Sequence, residues 1–68
     1  MDEEALNRTV RKFLKTVGVT AQREIEIAVR NAITEGRLRG NEQLPAQATI
    51  TVGGVNLDFR VDGKIELE

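Results

Sequence analysis

Four basic side chains recur at a spacing that would let them bind an anionic partner together. They recur at i, i+3, i+4 and i+7 on one face of a predicted helix, and they are Arg8, Arg11, Lys12 and Lys15. This basic stripe suits the phosphates of a nucleic acid or an acidic protein surface. A solvated helix face has the same composition, and it is the interpretation that we favour for the stripe.

The charge of the whole chain argues against a dedicated nucleic-acid binder. Ten Lys and Arg stand against eleven Asp and Glu, for a net charge of −1, whereas such binders carry a large positive excess. Residues 1–40 hold eight basic and six acidic side chains (+2), and residues 41–68 hold two and five (−3). Arg37 and Arg39 add positive charge beyond the stripe, so phosphate binding by the N-terminal half is kept as the second hypothesis.

The residue types that are missing exclude much chemistry. The chain has no His, Cys, Ser, Tyr or Trp, so nucleophilic catalysis of the Ser-His or Cys-His type is impossible within one chain. No imidazole or thiolate is present to hold zinc, and the carboxylates do not follow the spacing of a calcium loop. We therefore expect no enzymatic activity, no cofactor and no metal site.

Two amphipathic helices are predicted in the N-terminal half, over residues 2–17 and 21–35. Asp2 is the expected N-cap of the first helix, and Gly18 is expected to end it in the left-handed conformation. Gly36 is expected to end the second helix in the same way. The first helix carries its apolar side chains on one face, and these are Leu6, Val10, Phe13, Leu14 and Val17.

The stretch VGVTAQREIE, residues 17–26, resembles the corner of a DNA-binding helix-turn-helix. A Gly in the turn lies between two apolar residues, as in that motif. However, Leu14 stands where a small residue lets the helices approach, and Glu24 stands where an apolar residue locks them together. Because Glu24 and its acidic neighbours would also repel phosphates, we predict a structural corner between two helices.

A β-hairpin is predicted after a connector over residues 36–45. From there apolar and polar residues alternate, which indicates a half-buried strand over residues 46–52. Gly53-Gly54 suits a two-residue turn that needs positive φ. This turn would place the apolar residues of a second strand, 55–61, on the same face as those of the first.

A second turn at Asp62-Gly63 is predicted to lead into a third strand, residues 64–68. A two-residue turn would send Ile65 to the wrong face, since side-chain direction in a strand has a period of two. We therefore expect a three-residue bulged loop with Gly63 in the left-handed conformation. Whether residues 37–39 form an extra strand is left open.

These elements predict a single α+β domain over residues 1–68. In it a two-helix hairpin packs on the apolar face of a three-stranded antiparallel β-meander, in the order ααβββ. A chain of 68 residues has a thin core, so its stability is expected to be marginal.

Ile27 has no place in the apolar face of its predicted helix. It lies nearly opposite that face, beside Arg23, Arg30 and Thr34. A lone exposed Ile is ordinary; coverage by the connector is a second interpretation, and contact with another chain is a third. Ile27 is therefore a candidate partner contact.

Three segments together resemble a family of short bacterial proteins filed as a domain of unknown function. They cover nearly the whole chain and are RKFLKTVGVTAQREIE, LPAQATITVGGVNL and GKIELE. The likeness rests on the overall pattern rather than on a chemical motif. It implies a compact intracellular bacterial protein without an assigned activity, and it brings no catalytic or ligand residues.

The expected function is that of a non-enzymatic interaction module whose partner is another protein or a second copy of the chain. A nucleic-acid-binding module that uses the basic stripe is the alternative. The N-terminus lacks the basic start and apolar core of a secretory signal, and no apolar run approaches the roughly 20 residues that span a membrane, so a cytoplasmic location is expected. The candidate contacts are Arg8, Arg11, Lys12, Lys15, Ile27, Arg37 and Arg39.

Overall fold

The computed structural model describes all 68 residues and contains one helix and two strands. The helix, α1, spans Glu3–Thr34, and the strands β1 and β2 span Gln43–Val52 and Leu57–Glu66 as a two-stranded antiparallel sheet. The chain divides into two compact units, Met1–Arg37 and Leu38–Glu68. The α+β class is confirmed, but the expected ααβββ architecture is wrong because the element order is α-β-β.

The helix runs without a break through the position where a corner was expected. The two-helix hairpin, with helices 2–17 and 21–35, is therefore wrong, and α1 contains no helix-turn-helix motif. The apolar spacing explains this, because Val17 is followed four residues later by Ala21, so the two predicted stripes are one. A helical Gly18 costs only about 1 kcal/mol relative to Ala.

The start of α1 carries the N-cap that the sequence predicts. The carboxylate of Asp2 accepts hydrogen bonds from the backbone N–H groups of Glu4 (2.9 Å) and Ala5 (3.2 Å). These bonds satisfy donors that have no partner inside the helix. Glu3 and Glu4 place negative charge in the first turn, where the helix dipole favours it.

The end of α1 is also where the sequence predicts it. Gly36 has a φ of +80°, and its N–H donates to the carbonyl of Ile33 (3.1 Å). The N–H of Arg37 donates to the carbonyl of Ala32 (2.9 Å). This pair of bonds is the Schellman motif, which uses the left-handed residue to close the last carbonyls of a helix.

The two strands pair along their full length and begin at Val52 opposite Leu57. The expected two-residue turn at Gly53-Gly54 is wrong, because four residues, 53–56, connect the strands. Asn56 takes a φ of 53°, and Asn tolerates this region better than most residues that carry a side chain. The register differs from the expected one by two residues, so every side chain stays on its expected face.

β2 continues through residues 62–63, where a second turn was expected. The predicted second and third strands are therefore one strand, and the three-stranded meander and the bulge at Gly63 are wrong. Phe59, Val61 and Ile65 are separated by even numbers of residues, so an unbroken strand already places them on one face. The turn was predicted from the preference of Asp-Gly for turns, and the pairing of β2 with β1 outweighs that preference here.

β1 begins at Gln43, within the predicted connector 36–45. Pro45 consequently lies inside the strand instead of before it. Proline lacks an N–H, so it fits a strand only where that group would point away from the neighbouring strand. Residues 37–39 form no strand, which answers the question that the sequence left open.

Candidate interaction surfaces

The basic stripe lies on the N-terminal half of α1, as the spacing predicts. All four of its side chains are exposed, and none of them takes part in the ion pairs of the structure. No acidic residue lies between Glu4 and Glu24. This part of α1 therefore presents charge of a single sign.

An apolar stripe runs along the opposite side of α1, and most of its residues are open to solvent. Phe13 is 49% exposed, and Ala32 is the only buried residue of the chain. The sequence predicted that these side chains form a core between two helices, whereas in the structure most of them lie on the surface. The apolar stripe comprises Leu6, Val10, Phe13, Leu14, Val17, Ala21, Ile25, Ala28 and Ala32.

Ile27 is exposed on α1, with 46% of its surface accessible. A polar cluster precedes and follows it, in which Glu26 accepts from Gln22 (2.8 Å) and from Arg30 (3.0 Å). The hydrogen bond from Gln22 and then the contact with Arg30 lower the pKa of the Glu26 carboxyl. Ile27 is thus a single apolar side chain in polar surroundings.

Arg37 does not join the basic stripe. It follows the end of α1 and pairs with Glu35 at 3.1 Å. Lys15 and Arg37 are separated by 22 residues, which is about 30 Å along a helix axis. The two positions therefore cannot bind the same small anion.

Arg39 lies in the second unit, in a tight turn that Glu42 organises. One Glu42 oxygen accepts from the backbone N–H groups of Gly40 (2.9 Å) and Asn41 (3.2 Å), and the Arg39 N–H donates to the other at 2.9 Å. These bonds, first that of Arg39 and then that of Gly40, lower the pKa of the Glu42 carboxyl. These three backbone N–H groups, which could otherwise bind an anion, are thus occupied by the carboxylate of Glu42.

The hairpin separates its side chains onto two faces. Its apolar face is exposed in part, since Val61 is 53% accessible, and it consists of Leu44, Ala46, Ala48, Ile50, Val52, Leu57, Phe59, Val61, Gly63 and Ile65. On the opposite face β1 carries no charge, while β2 carries a charged row of Asp58, Arg60, Asp62, Lys64 and Glu66.

Sequence reasoning missed the charged row, although a signal for it was present. The alternation of apolar and polar residues continues from Leu57 to Leu67 without a change of phase. An uninterrupted period of two over this length indicates one strand. Reading the alternation before the Asp-Gly dipeptide would have placed all five charges on one face of one strand.

The fold and these surfaces define a small α-β-β protein whose distinguishing features are a single-sign basic stripe and extended apolar surfaces. No group of three or more acidic side chains is placed to hold a metal ion, and α1 is not apolar enough to cross a membrane. The chain belongs to the family of unknown function DUF6494, whose family model matches residues 1–68. The resemblance to a family of unknown function is thus confirmed. Searches of curated proteins and of solved structures found no match.

Proposed function

We propose that the protein is a non-enzymatic interaction module that binds a protein chain through its apolar surfaces. The observation that carries this proposal is the exposure of the large apolar side chains on both α1 and the hairpin. Large contiguous apolar patches on a folded chain mark interaction sites. The absence of His, Cys, Ser and Tyr supports a role in binding over one in catalysis.

The apolar stripe offers enough energy for specific binding. Complete burial of a side chain such as Leu, Val or Phe stabilises by about 1.5–3 kcal/mol. Phe13 and Leu14 are close to half exposed, so each would contribute about 1 kcal/mol more on burial. Burial of several such residues along α1 would contribute more free energy of binding than the exposed basic side chains, because exposed ion pairs are worth about 0–1 kcal/mol each.

Site-specific photo-crosslinking in living cells tests this proposal. Phe13, on the apolar stripe, is replaced by photoreactive benzoylphenylalanine, and a second variant carries the same residue in place of Arg11 on the basic stripe. We expect irradiation of the position 13 variant to give a crosslinked protein product of discrete mass, either with another protein or with a second copy. The position 11 variant should give a much lower yield.

The position 11 variant is the matched control, because it lies on the same helix only two residues away. Equal yields at both positions, or no protein product at position 13, would overturn the proposal. Treatment with nuclease before separation shows whether a product contains nucleic acid.

Binding of nucleic acid by the basic stripe is the second candidate function. The single sign of the stripe and its freedom from ion pairs favour it. Four phosphate contacts predict a loss of duplex affinity of roughly a hundredfold between about 50 and 200 mM salt. Fluorescence anisotropy with labelled DNA and RNA measures this, and the R11E/K12E variant should lose the binding. An affinity that is flat with salt, or unchanged in the variant, would exclude this candidate.

A further inference from the structure

The hairpin has two open edges, and their hydrogen-bonding groups follow from the register. Opposite residues of an antiparallel pair are alternately hydrogen-bonded and non-bonded. The N–H of Leu67 donates to the carbonyl of Glu42 (3.1 Å), so the bonded pairs of the sheet include Leu44–Ile65 and every second pair beyond it. The outward-pointing N–H groups therefore belong to the odd-numbered residues of β1 and to the even-numbered residues of β2.

The edge of β1 is poorly suited to a further strand. Pro45 is one of its outward-pointing residues, and it has no N–H to donate. A proline on an edge strand is a recognised device against pairing. The edge of β2 contains no proline, and its five outward-pointing residues are those of the charged row. β2 therefore has the edge that can accept another strand.

The charged row is complementary to itself. Its signs alternate along β2 as −, +, −, +, − from Asp58 to Glu66. If a second β2 lies antiparallel with Val61 opposite itself, Arg60 faces Asp62 of the second copy. In the same register Asp58 faces Lys64 of the second copy, and the two-fold symmetry repeats both pairs. Both of these pairs join opposite charges, which stabilises a sheet, whereas like charges destabilise it; the fifth charge, Glu66, faces the uncharged Asn56 of the second copy.

The apolar side of β2 matches a second copy in the same register. Gly63 faces Ala46 within its own hairpin, and a Cβ added to Gly63 would meet nothing within 4 Å. With Val61 at the two-fold axis, Phe59 of the second copy lies opposite Gly63. An aromatic ring opposite a glycine covers the exposed backbone and stabilises the pair. Nothing in the chain close to Gly63 therefore obstructs that ring.

From these observations we propose that β2 pairs antiparallel with β2 of a second copy, in the register that places Val61 opposite itself. The product is a four-stranded sheet of order β1-β2-β2-β1 with all apolar residues on one face. This inference rests on the proposed function, because it names a second copy as the protein partner. Isolated two-stranded hairpins are marginal in water, whereas three or more strands with an apolar face are not.

Two charge swaps that leave the composition unchanged test the register. In R60D/D62R both pairs of the proposed register still join opposite charges. In D62K/K64D both pairs join like charges. A register centred on Gly63 joins opposite charges in the wild type and in D62K/K64D but like charges in R60D/D62R, so it predicts the reverse ranking of the two variants. Sedimentation equilibrium should give a dimer with a similar Kd for the wild type and R60D/D62R. The Kd of D62K/K64D should be higher by at least about tenfold.

Disulfide trapping supplies a second measurement that does not depend on charge. The chain has no Cys, so V61C introduces the only thiol. Opposite residues in a non-bonded pair have Cα atoms about 4.5 Å apart, which is within disulfide range. A48C is the matched control, because Ala48 faces Val61 on the same face of the hairpin but lies about 14 Å from its copy in the proposed sheet. We expect rapid crosslinking of V61C and little of A48C.

The outcomes separate this inference from the proposed function. Equal Kd values for both swaps, a tighter dimer for D62K/K64D, or equal crosslinking of V61C and A48C would overturn the pairing of β2. A monomeric wild type at every concentration would do the same. Each of these results leaves the crosslink at position 13 to support or reject the interaction module by itself. Circular dichroism of each variant is the control that checks whether α1 is still folded.

Discussion

The helix and the hairpin are both amphipathic, but they differ in where their stability comes from. α1 has its own N-cap, its own Schellman motif and an i, i+4 ion pair between Glu26 and Arg30. The hairpin has only one strand neighbour for each strand, and an isolated pair of strands is marginal. Changes in the local signals of α1 should therefore alter the free energy of unfolding, whereas changes at the edges of the hairpin should alter assembly.

The largest expected effect comes from opening the protected edge of the hairpin. Pro45→Thr restores an outward-pointing N–H on β1, so both edges become able to pair. Because pairing at two edges does not close, we expect a concentration-dependent growth of large assemblies in place of a discrete species. Light scattering and thioflavin fluorescence over time measure this growth.

Gln47→Thr is the control for that experiment. Residue 47 is the next outward-pointing position on the same edge and face, and it already has an N–H. This variant should behave as the wild type does. Growth in both variants would show that the loss of proline is not the cause.

The next effect concerns the end of α1. Gly36→Ala places a side chain at a φ of +80°, which costs about 1–2 kcal/mol for a residue other than Gly. Urea denaturation at a fixed protein concentration should therefore show a lower free energy of unfolding. An unchanged midpoint would mean that the Schellman motif does not hold in solution.

A change of the free energy of unfolding in the opposite direction is expected when the glycine in the middle of α1 is replaced. Gly18→Ala should raise the free energy of unfolding by about 0.5–1 kcal/mol, because Gly is a poor helix former. A Cβ at position 18 meets nothing within 4 Å, so no clash offsets this gain. Destabilisation by this change would contradict the continuous helix and support the corner between two helices that the sequence predicted.

The smallest effect is the pH dependence of the turn around Glu42. The pKa of Glu42 is lowered by hydrogen bonds that the ionised carboxylate accepts. These bonds therefore stabilise the turn fully at a pH above the ordinary Glu pKa, and the contribution is lost as the pH falls through the lower pKa of the folded state. The amide proton shifts of Arg39 and Gly40 should follow this titration in NMR spectra. Their midpoint should lie below that of an ordinary Glu, and Glu42→Gln should abolish it; a midpoint at or above the ordinary value would contradict the turn.

The two glycines also show how much of α1 was readable from its sequence. Gly36 and Gly18 looked equivalent as helix ends, yet only Gly36 follows the last residue of the apolar stripe. Val17 and Ala21 continue the stripe across Gly18, and this spacing decides the outcome. Asp2 and Gly36 were predicted correctly because caps depend on a few neighbouring residues.

The hairpin was predicted less completely, because strand pairing is non-local. The shared apolar face was correct, since a register shift of two residues keeps each side chain on its face. The turn length and the continuation of β2 through Gly63 were wrong, because turn chemistry alone does not set the register. The basic stripe was placed correctly on α1, but exposure of the apolar stripe depends on what covers it, which periodicity does not reveal.

The mass of the wild-type chain in solution tests the central claim, that β2 pairs with β2 of a second copy. Sedimentation equilibrium at micromolar concentration, with helix content followed by circular dichroism, is the most direct measurement. We predict a mass of twice the 7.6 kDa of one chain, which falls towards that of the single chain on dilution as the dimer dissociates. A monomer that keeps its helix content and unfolds at the same urea concentration at every dilution would contradict the claim.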